Sequence, residues 1–365
     1  MHTGGPAEVI PNLCRTMVER GHDVTIVTVD GPHAAALLDA EAGGVEVVVF
    51  SPTGLRLIRH VKGLSAFLKQ NIRSFDVIHN HGHWLYPNWE ALRWAKRFGL
   101  PYVTTPHGTL VSGMLKRSRL KKSISWALFD KRIIQYASSV HALSTIEKEG
   151  MEDKISSLKK RVIVIPNGVF VQDNEHGRSK QDGEPKKLLF LSRIHTIKGV
   201  EDLVELWPEL RQKYPEWELH IVGQEDPSSP GTHYKVIAAA SAGDGIVFHG
   251  ASYGSERFQY YRDADAFVLP SYAEGLPTVL LEAAAHSLPI VCTKECNFAE
   301  LDSADGALVA SAGGDSVQAC LERLFSMGDQ ERLAMGRRAQ DLIRQDYSWD
   351  SIGRRWEDAY MDLCR

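Results

Sequence analysis

Apolar and polar positions follow two alternating periods along the chain, and their succession predicts parallel sheets covered by helices. Residues 6–20 place Val9, Ile10, Leu13, Met17 and Val18 on one helical face, Gly21 can close that helix, and 24–29 reads as a buried strand. Short β-rich runs follow at 45–50, 77–79, 102–105, 139–142 and 162–165. Across 171–187 the apolar period is lost while Gly, Pro and charge accumulate, as in linkers. A second series then runs through strand 187–191, helix 200–214, strand 218–222, a helix near 234–242 and strand 246–248. It continues with helix 256–263, strand 266–269, a helix from about 277 to 287 and strand 289–292. Near the end, Ile352, Trp356, Tyr360 and Leu363 fall on one helical face. The expected fold is α/β, with an N-terminal domain over 1–170, a linker at 171–187 and a C-terminal domain over 188–346. Each domain is expected to be a Rossmann-like, doubly wound parallel sheet whose ligands sit beyond the carboxyl ends of the strands.

Composition narrows the function class. A chain of 365 residues exceeds what one core usually serves, and 43% hydrophobic with 24% charged residues excludes disorder as the organising principle. No apolar run approaches the roughly 20 residues that span a bilayer, and the N-terminus lacks a basic-then-apolar signal, which argues against export and for a cytoplasmic protein. Five scattered cysteines suit reduced thiols better than a disulfide framework. Cys292 and Cys296 have the look of a metal half-site but lack a second pair, so no metal is assigned. The net charge of -4 hides an asymmetry: residues 1–170 carry 22 Lys plus Arg against 14 Asp plus Glu, and 171–365 carry 20 against 32. A basic N-terminal half fits an anionic partner, such as a phosphate-bearing acceptor or a lipid surface, and solvated helix faces give the same count.

The chemistry concentrates in two strand-to-helix turns. In Pro270-Ser271-Tyr272-Ala273-Glu274-Gly275-Leu276-Pro277, the proline suits a first helical turn, so the amides of Gly275 and Leu276 can point at an anion. Glu282 lies farther along that helix, and with Glu274 could grip opposite ends of an extended ligand; alternatively the two are a helix-surface and a loop charge. After strand 187–191, Arg193 and Lys198 flank a second turn, where two cations could neutralise a diphosphate without a divalent ion, or simply face solvent.

Together these runs resemble the retaining glycosyltransferases of family 4, often described as glycosyl transferase group 1. The ordered anchors are Gly4-Gly5-Pro6, Gly21-His22-Asp23-Val24, Asp76-Val77-Ile78-His79, Pro106-His107-Gly108, Ile165-Pro166-Asn167-Gly168-Val169, Arg193 with Lys198, and Glu274 with Glu282. The resemblance implies the GT-B architecture, two Rossmann-like domains facing across a cleft, with the C-terminal helix of about 347–365 returning to the N-terminal domain. It implies that Arg193 and Lys198 bind the diphosphate of a nucleotide-sugar donor, that Glu274 contacts sugar hydroxyls and Glu282 ribose hydroxyls, and that Gly275, Leu276 and Pro277 border the donor. It places His107 beside the transferred sugar and Gly4 and Gly5 in a loop near phosphate. His81, Trp84 and Asn167 become acceptor-side candidates, Asn167 being equally readable as part of a turn. No cofactor is implied. A retaining reaction without metal follows from the resemblance, as does a glycan or lipid-linked acceptor in exopolysaccharide or lipopolysaccharide assembly.

Three further readings complete the expectation. Asp263-Ala264-Asp265 has the spacing of a metal motif but stands where a helix ends and a buried strand begins, which assigns it to capping. His79 to His83 alternates histidines yet contains Gly82, which reads as a loop beyond a strand ending at His79. Lys116–Arg132 interleaves basic with apolar residues, the pattern of an amphipathic helix on an anionic membrane face or of one packed inward; nucleic acid is disfavoured because the basic stretch is local. Family members open with a central strand before the Gly-Gly loop, and only Met1, His2 and Thr3 precede Gly4, so the first strand is expected to be missing and the true start to lie upstream. Rival readings are a degenerate glycosyltransferase-like scaffold and a GT-B sugar-nucleotide epimerase.

Overall fold

The computed structural model describes residues 6–30, 40–52, 61–82, 86–107, 131–154, 161–171 and 183–365. The chain divides into two compact units, one of residues 1–168 with 349–365 and the other of 169–348.

In the first unit, helix α1 (Pro6–Glu19) precedes β1 (Thr25–Val29) and β2 (Glu46–Phe50), which pair in parallel. Helix α2 (Leu64–Asn71), β3 (Ile78–His81), α3 (Tyr86–Phe98), β4 (Tyr102–Thr105), α4 (Lys131–Tyr136), β5 (Ser139–Ala142), α5 (Thr145–Lys154) and β6 (Val162–Val164) follow. Strands β3 to β6 form a parallel sheet in sequence order, and among the described residues β1–β2 is a separate pair. β3 runs on to His81 and pairs with β4 along its whole length, beyond the expected end at His79. Polar side chains at the carboxyl end of a strand look like loop to a hydropathy reading, whereas the backbone ladder does not depend on them. Helix α13 (Trp349–Cys364) closes this unit: Trp349, Ile352 and Trp356 are buried against Leu13 and Met17 of α1 and Val103 of β4. Each such side chain contributes about 1.5–3 kcal/mol of burial, which makes this helix part of the unit's core.

The second unit runs β7 (Lys186–Leu191), α6 (Val200–Lys213), β8 (Trp217–Val222), α7 (Pro230–Ser241), β9 (Ile246–Phe248), α8 (Arg257–Asp263), β10 (Ala266–Leu269), α9 (Thr278–Ala285), β11 (Ile290–Thr293), α10 (Ala299–Ser303), β12 (Ala307–Ala310), α11 (Gly314–Ser326) and α12 (Asp329–Leu342). Its six strands are parallel in the order β12-β11-β10-β7-β8-β9. Central β10 and β11 are buried on both faces and accordingly read as apolar runs, interrupted only by Thr293 at the end of β11. The chain winds outward from β7 in one direction and from β10 in the other, so β7 and β10 flank the topological switch point, where doubly wound sheets open a ligand crevice.

Candidate active site

The two turns singled out in the C-terminal half leave β7 and β10, and the fold brings them together at that switch point. Gly199 is the hinge of the arrangement. Its φ of 71° is left-handed, and a Cβ there would lie 2.0 Å from the Pro270 carbonyl oxygen, so only glycine lets the two turns touch. Lys198, just before it, is buried, and its Nζ donates to the Glu274 carboxylate. Both side chains are 11% exposed. Ser271 Oγ donates to the same carboxylate at 2.8 Å, the Glu274 N–H donates to the Glu295 carbonyl at 3.0 Å, and Asn297 Nδ2 donates to the Glu274 carbonyl. Tyr272 N–H donates to the Ile197 carbonyl at 2.8 Å, which stitches one turn to the other.

Arg193 pairs with Asp226 and keeps more than half of its side chain exposed. The Asp226 carboxylate is held in turn by the backbone N–H and the hydroxyl of Ser228, at 2.9 and 2.6 Å. Pro277 stands at the N-cap of α9, with the Gly275 and Leu276 amides just before it, and a Cβ at Gly275 would meet nothing within 4 Å. Glu282 is neither helix-surface nor idle: it is 4% exposed, Arg257 Nη2 reaches its carboxylate at 2.6 Å and Tyr261 OH donates to it at 2.8 Å. Asp263 accepts from Gln259 Nε2 one helical turn back at 2.8 Å, whereas Asp265 accepts from the Lys187 N–H at 2.7 Å and so ties the start of β10 to β7 instead of capping a helix. Cys292 and Cys296 lie buried in the core of this unit.

The first unit gathers a different set. His79 and His81, two apart on β3, project from one face with ring centroids 4.1 Å apart. Tyr360 OH meets Nδ1 of His79 at 2.7 Å, Nε2 of His79 meets Thr105 Oγ1 at 2.7 Å, and Thr105 Oγ1 meets Nδ1 of His141 at 2.8 Å. Nε2 of His141 ends the series on the Ile165 carbonyl at 2.6 Å. His81 Nδ1 lies 3.1 Å from Nε2 of His107, whose φ of 50° is left-handed. Burial, reinforced by neighbouring rings, holds His79 and His81 well below the usual imidazole range; burial takes His107 down to about 4 and His141 to about 3. A small cavity beside them is lined by His81, His107, His141, Asn167, Trp349 and Trp356. Gly168 packs so tightly on Trp349 that a Cβ would fall 2.5 Å from its ring.

Of the residues marked from sequence, the fold brings Lys198, Glu274 and Gly275 into one turn pair and His81, His107 and Asn167 around one cavity. Gly4, Gly5 and Trp84 lie outside the described residues, as does 116–130 of the basic stretch. Sequence reading passed over Ser271, Asn297, Asp226, Arg257 and Tyr261, which hold the marked side chains, and His79, Thr105 and His141 as a bonded series. The i, i+2 spacing of His79 and His81 inside a strand was the one available signal.

The two halves match two family patterns: Glycosyltransferase Family 4 over residues 3–173 and Glycosyl transferases group 1 over residues 185–327. The chain belongs to the family 4, group 1 glycosyltransferases. D-inositol 3-phosphate glycosyltransferase of Corynebacterium urealyticum is 22% identical over 391 residues, covering 99% of this chain and 91% of that protein. Sucrose-phosphate synthase from Thermosynechococcus elongatus superposes with a TM-score of 0.74 at 17% identity, covering 99% of this chain and 94% of that one. HepE of Anabaena, solved in complex with UDP and glucose, gives 0.72 at 16% identity, with 98% and 96% covered. These likenesses give the glycosyltransferase its fold, GT-B, with two Rossmann-like α/β domains. No helix among its described residues is long and apolar enough to cross a membrane.

Proposed function

We propose that this glycosyltransferase moves a sugar from a nucleotide-diphosphate sugar to an acceptor hydroxyl with retention of configuration and without a metal ion. The observation that carries the reading is the pairing of Lys198 with Glu274 at the β7/β10 switch point, with Arg193 on the same turn. A cation and a carboxylate side by side suit a ligand that is anionic at one end and rich in hydroxyls at the other. Lys198 and Arg193 would take the diphosphate, with the Gly275 and Leu276 amides at the N-terminus of α9, and Glu274 the sugar hydroxyls. Glu282, fixed by Arg257 and Tyr261, is assigned to ribose hydroxyls, and Gly4 and Gly5 to the phosphate-side loop. The donor class also fits HepE, which was solved with UDP.

In the proposed reaction the bond from the anomeric carbon to the diphosphate oxygen breaks and a bond to the acceptor oxygen forms on the same face. The acceptor's proton passes to the departing phosphate oxygen, so no side chain need act as nucleophile. Arg193, Lys198 and the α9 amides stabilise charge that grows as the bond breaks, which accelerates the step because they bind it better than they bind the substrate. His107 is assigned to the transferred sugar, and His81, Trp84 and Asn167 to the acceptor side. The acceptor is proposed to be a glycan or lipid-linked intermediate of exopolysaccharide or lipopolysaccharide assembly at the inner face of the cell membrane, with Lys116–Arg132 as the contact to anionic lipid.

Screening nucleotide sugars for a raised melting temperature identifies the donor, since a ligand bound only by the folded state stabilises it. With that donor, Arg193→Ala and Lys198→Ala should each abolish most turnover; near-wild-type rates in either would remove the mechanism. Flotation with anionic vesicles tests the membrane contact, and a protein that stays behind at physiological salt removes it.

A further inference from the structure

The imidazoles of the first unit are joined by bonds whose direction can be worked out atom by atom. The Ile165 carbonyl can only accept, so Nε2 of His141 carries a proton and, on a neutral ring, Nδ1 is a bare acceptor. Thr105 therefore donates its hydroxyl proton to His141 and accepts at the same oxygen from Nε2 of His79. That leaves Nδ1 of His79 to accept from the Tyr360 hydroxyl on α13. Each atom in the series has one assignment, so His79 is fixed in both place and tautomer. His81 packs against this immobilised ring, with the two planes tilted by 31° and the centroids 4.1 Å apart.

His81 in turn meets His107. Their rings are nearly parallel, 25° apart with centroids at 5.3 Å, and Nδ1 of His81 faces Nε2 of His107 at 3.1 Å. Both rings are held neutral by burial, so the two nitrogens share one hydrogen. His107 holds a left-handed backbone, uncommon for a residue other than glycine, at this contact. We infer that His81 is a positioning residue for His107: by engaging Nε2 it fixes the plane of the imidazole and leaves Nδ1 as the ring nitrogen that meets a hydroxyl of the transferred sugar. The inference rests on the assignment of His107 proposed above.

Two substitutions separate positioning from packing. His81→Leu removes the hydrogen-bonding nitrogen, whereas His81→Asn keeps a polar atom at nearly the same place. His81→Leu should lower kcat by about tenfold to a hundredfold with donor KM changed by less than about threefold, and His81→Asn should recover most of that loss, as expected when a reacting group is misplaced rather than removed. In donor-free protein, the 15N signals of His107 should lose the hydrogen-bond shift at Nε2 in His81→Leu and keep it in His81→Asn. Unchanged His107 signals in His81→Leu, or an Asn variant as slow as the Leu variant with a normal melting temperature, would overturn the inference. Full turnover in His107→Ala would overturn the underlying assignment of His107, while the 15N signals of the two His81 variants would still report whether the rings are coupled.

Discussion

The candidate site of the C-terminal unit is built from charges that neutralise one another, and that of the N-terminal unit from imidazoles that have given up their charge. Lys198 and Glu274 remain an ion pair because each supplies the counter-charge the other would otherwise seek in water, and Ser271 occupies a further lone pair of the carboxylate. His79, His81, His107 and His141 have no carboxylate partner among their described bonds and instead stay neutral, at the cost of depressed proton affinity. The contrast has a functional meaning. A pair that can be exchanged for a ligand's phosphate and hydroxyls suits an anionic donor, whereas neutral rings offer directional hydrogen bonds to uncharged hydroxyls.

Acid should break this contrast most severely. Each of the four rings takes up a proton in the unfolded chain below about pH 6.5 but resists it in the folded one until about pH 4 for His107 and about pH 3 for His141. Unfolding therefore consumes protons, and stability present above pH 6.5 is lost as pH falls from there towards 4. At pH 5.5 the loss is about 1.4 kcal/mol each for His107 and His141, or about 3 kcal/mol for the two, and His79 and His81 act in the same direction. His220, His249 and His286 of the second unit shift in the same direction, so both units weaken, with the more deeply buried set going first. Hydrogen exchange at pH 5.5 should expose β3 to β5 peptides before β7 to β11 peptides; the reverse order contradicts the account.

Next in size is the ion pair. Lys198→Met should cost roughly a hundredfold to a thousandfold in kcat, the range for removing one preorganised donor from developing negative charge. Because Glu274 would be left partly buried and unpaired, the same variant should melt earlier than wild type, and Lys198→Met with Glu274→Gln should recover stability without recovering rate. A double variant still as unstable as the single would locate the defect elsewhere. Smaller again, Tyr360→Phe leaves Nδ1 of His79 without its donor and should cost about 1–3 kcal/mol in urea unfolding. A variant of wild-type stability would show that the bonded series does not brace α13. The smallest effect expected is none: initial rates in a chelator should equal those without it, and a clear loss would restore a metal to the mechanism.

Much of the fold was legible because the cores demand it. The strands read from β-rich runs fall within a residue or two of those observed through β11, the largest difference being β3, which runs two residues on to His81, and α1, α6, α8 and α9 follow their apolar periods. β12 was passed over: Ala307–Ala310 is short and rich in alanine, and pairs only because β11 presents an edge. Glu282 could be marked but not its setting, since Arg257 and Tyr261 stand on a separate helix 25 and 21 residues away. Nor could Tyr360, read as an apolar helix position, be seen to bond a histidine 281 residues away in sequence.

Sequence alone determined the alternation of strands and helices, the two turns rich in glycine, proline and charge, and the family, because hydropathy period and backbone preference act over a few residues. Tertiary structure decided which of those turns meet, that Lys198 and Glu274 neutralise each other, and that four histidines gather in one half-buried cluster. Charge state and hydrogen-bond direction depend on what surrounds a group in space, and in this protein the surroundings come from strands and helices far apart along the chain.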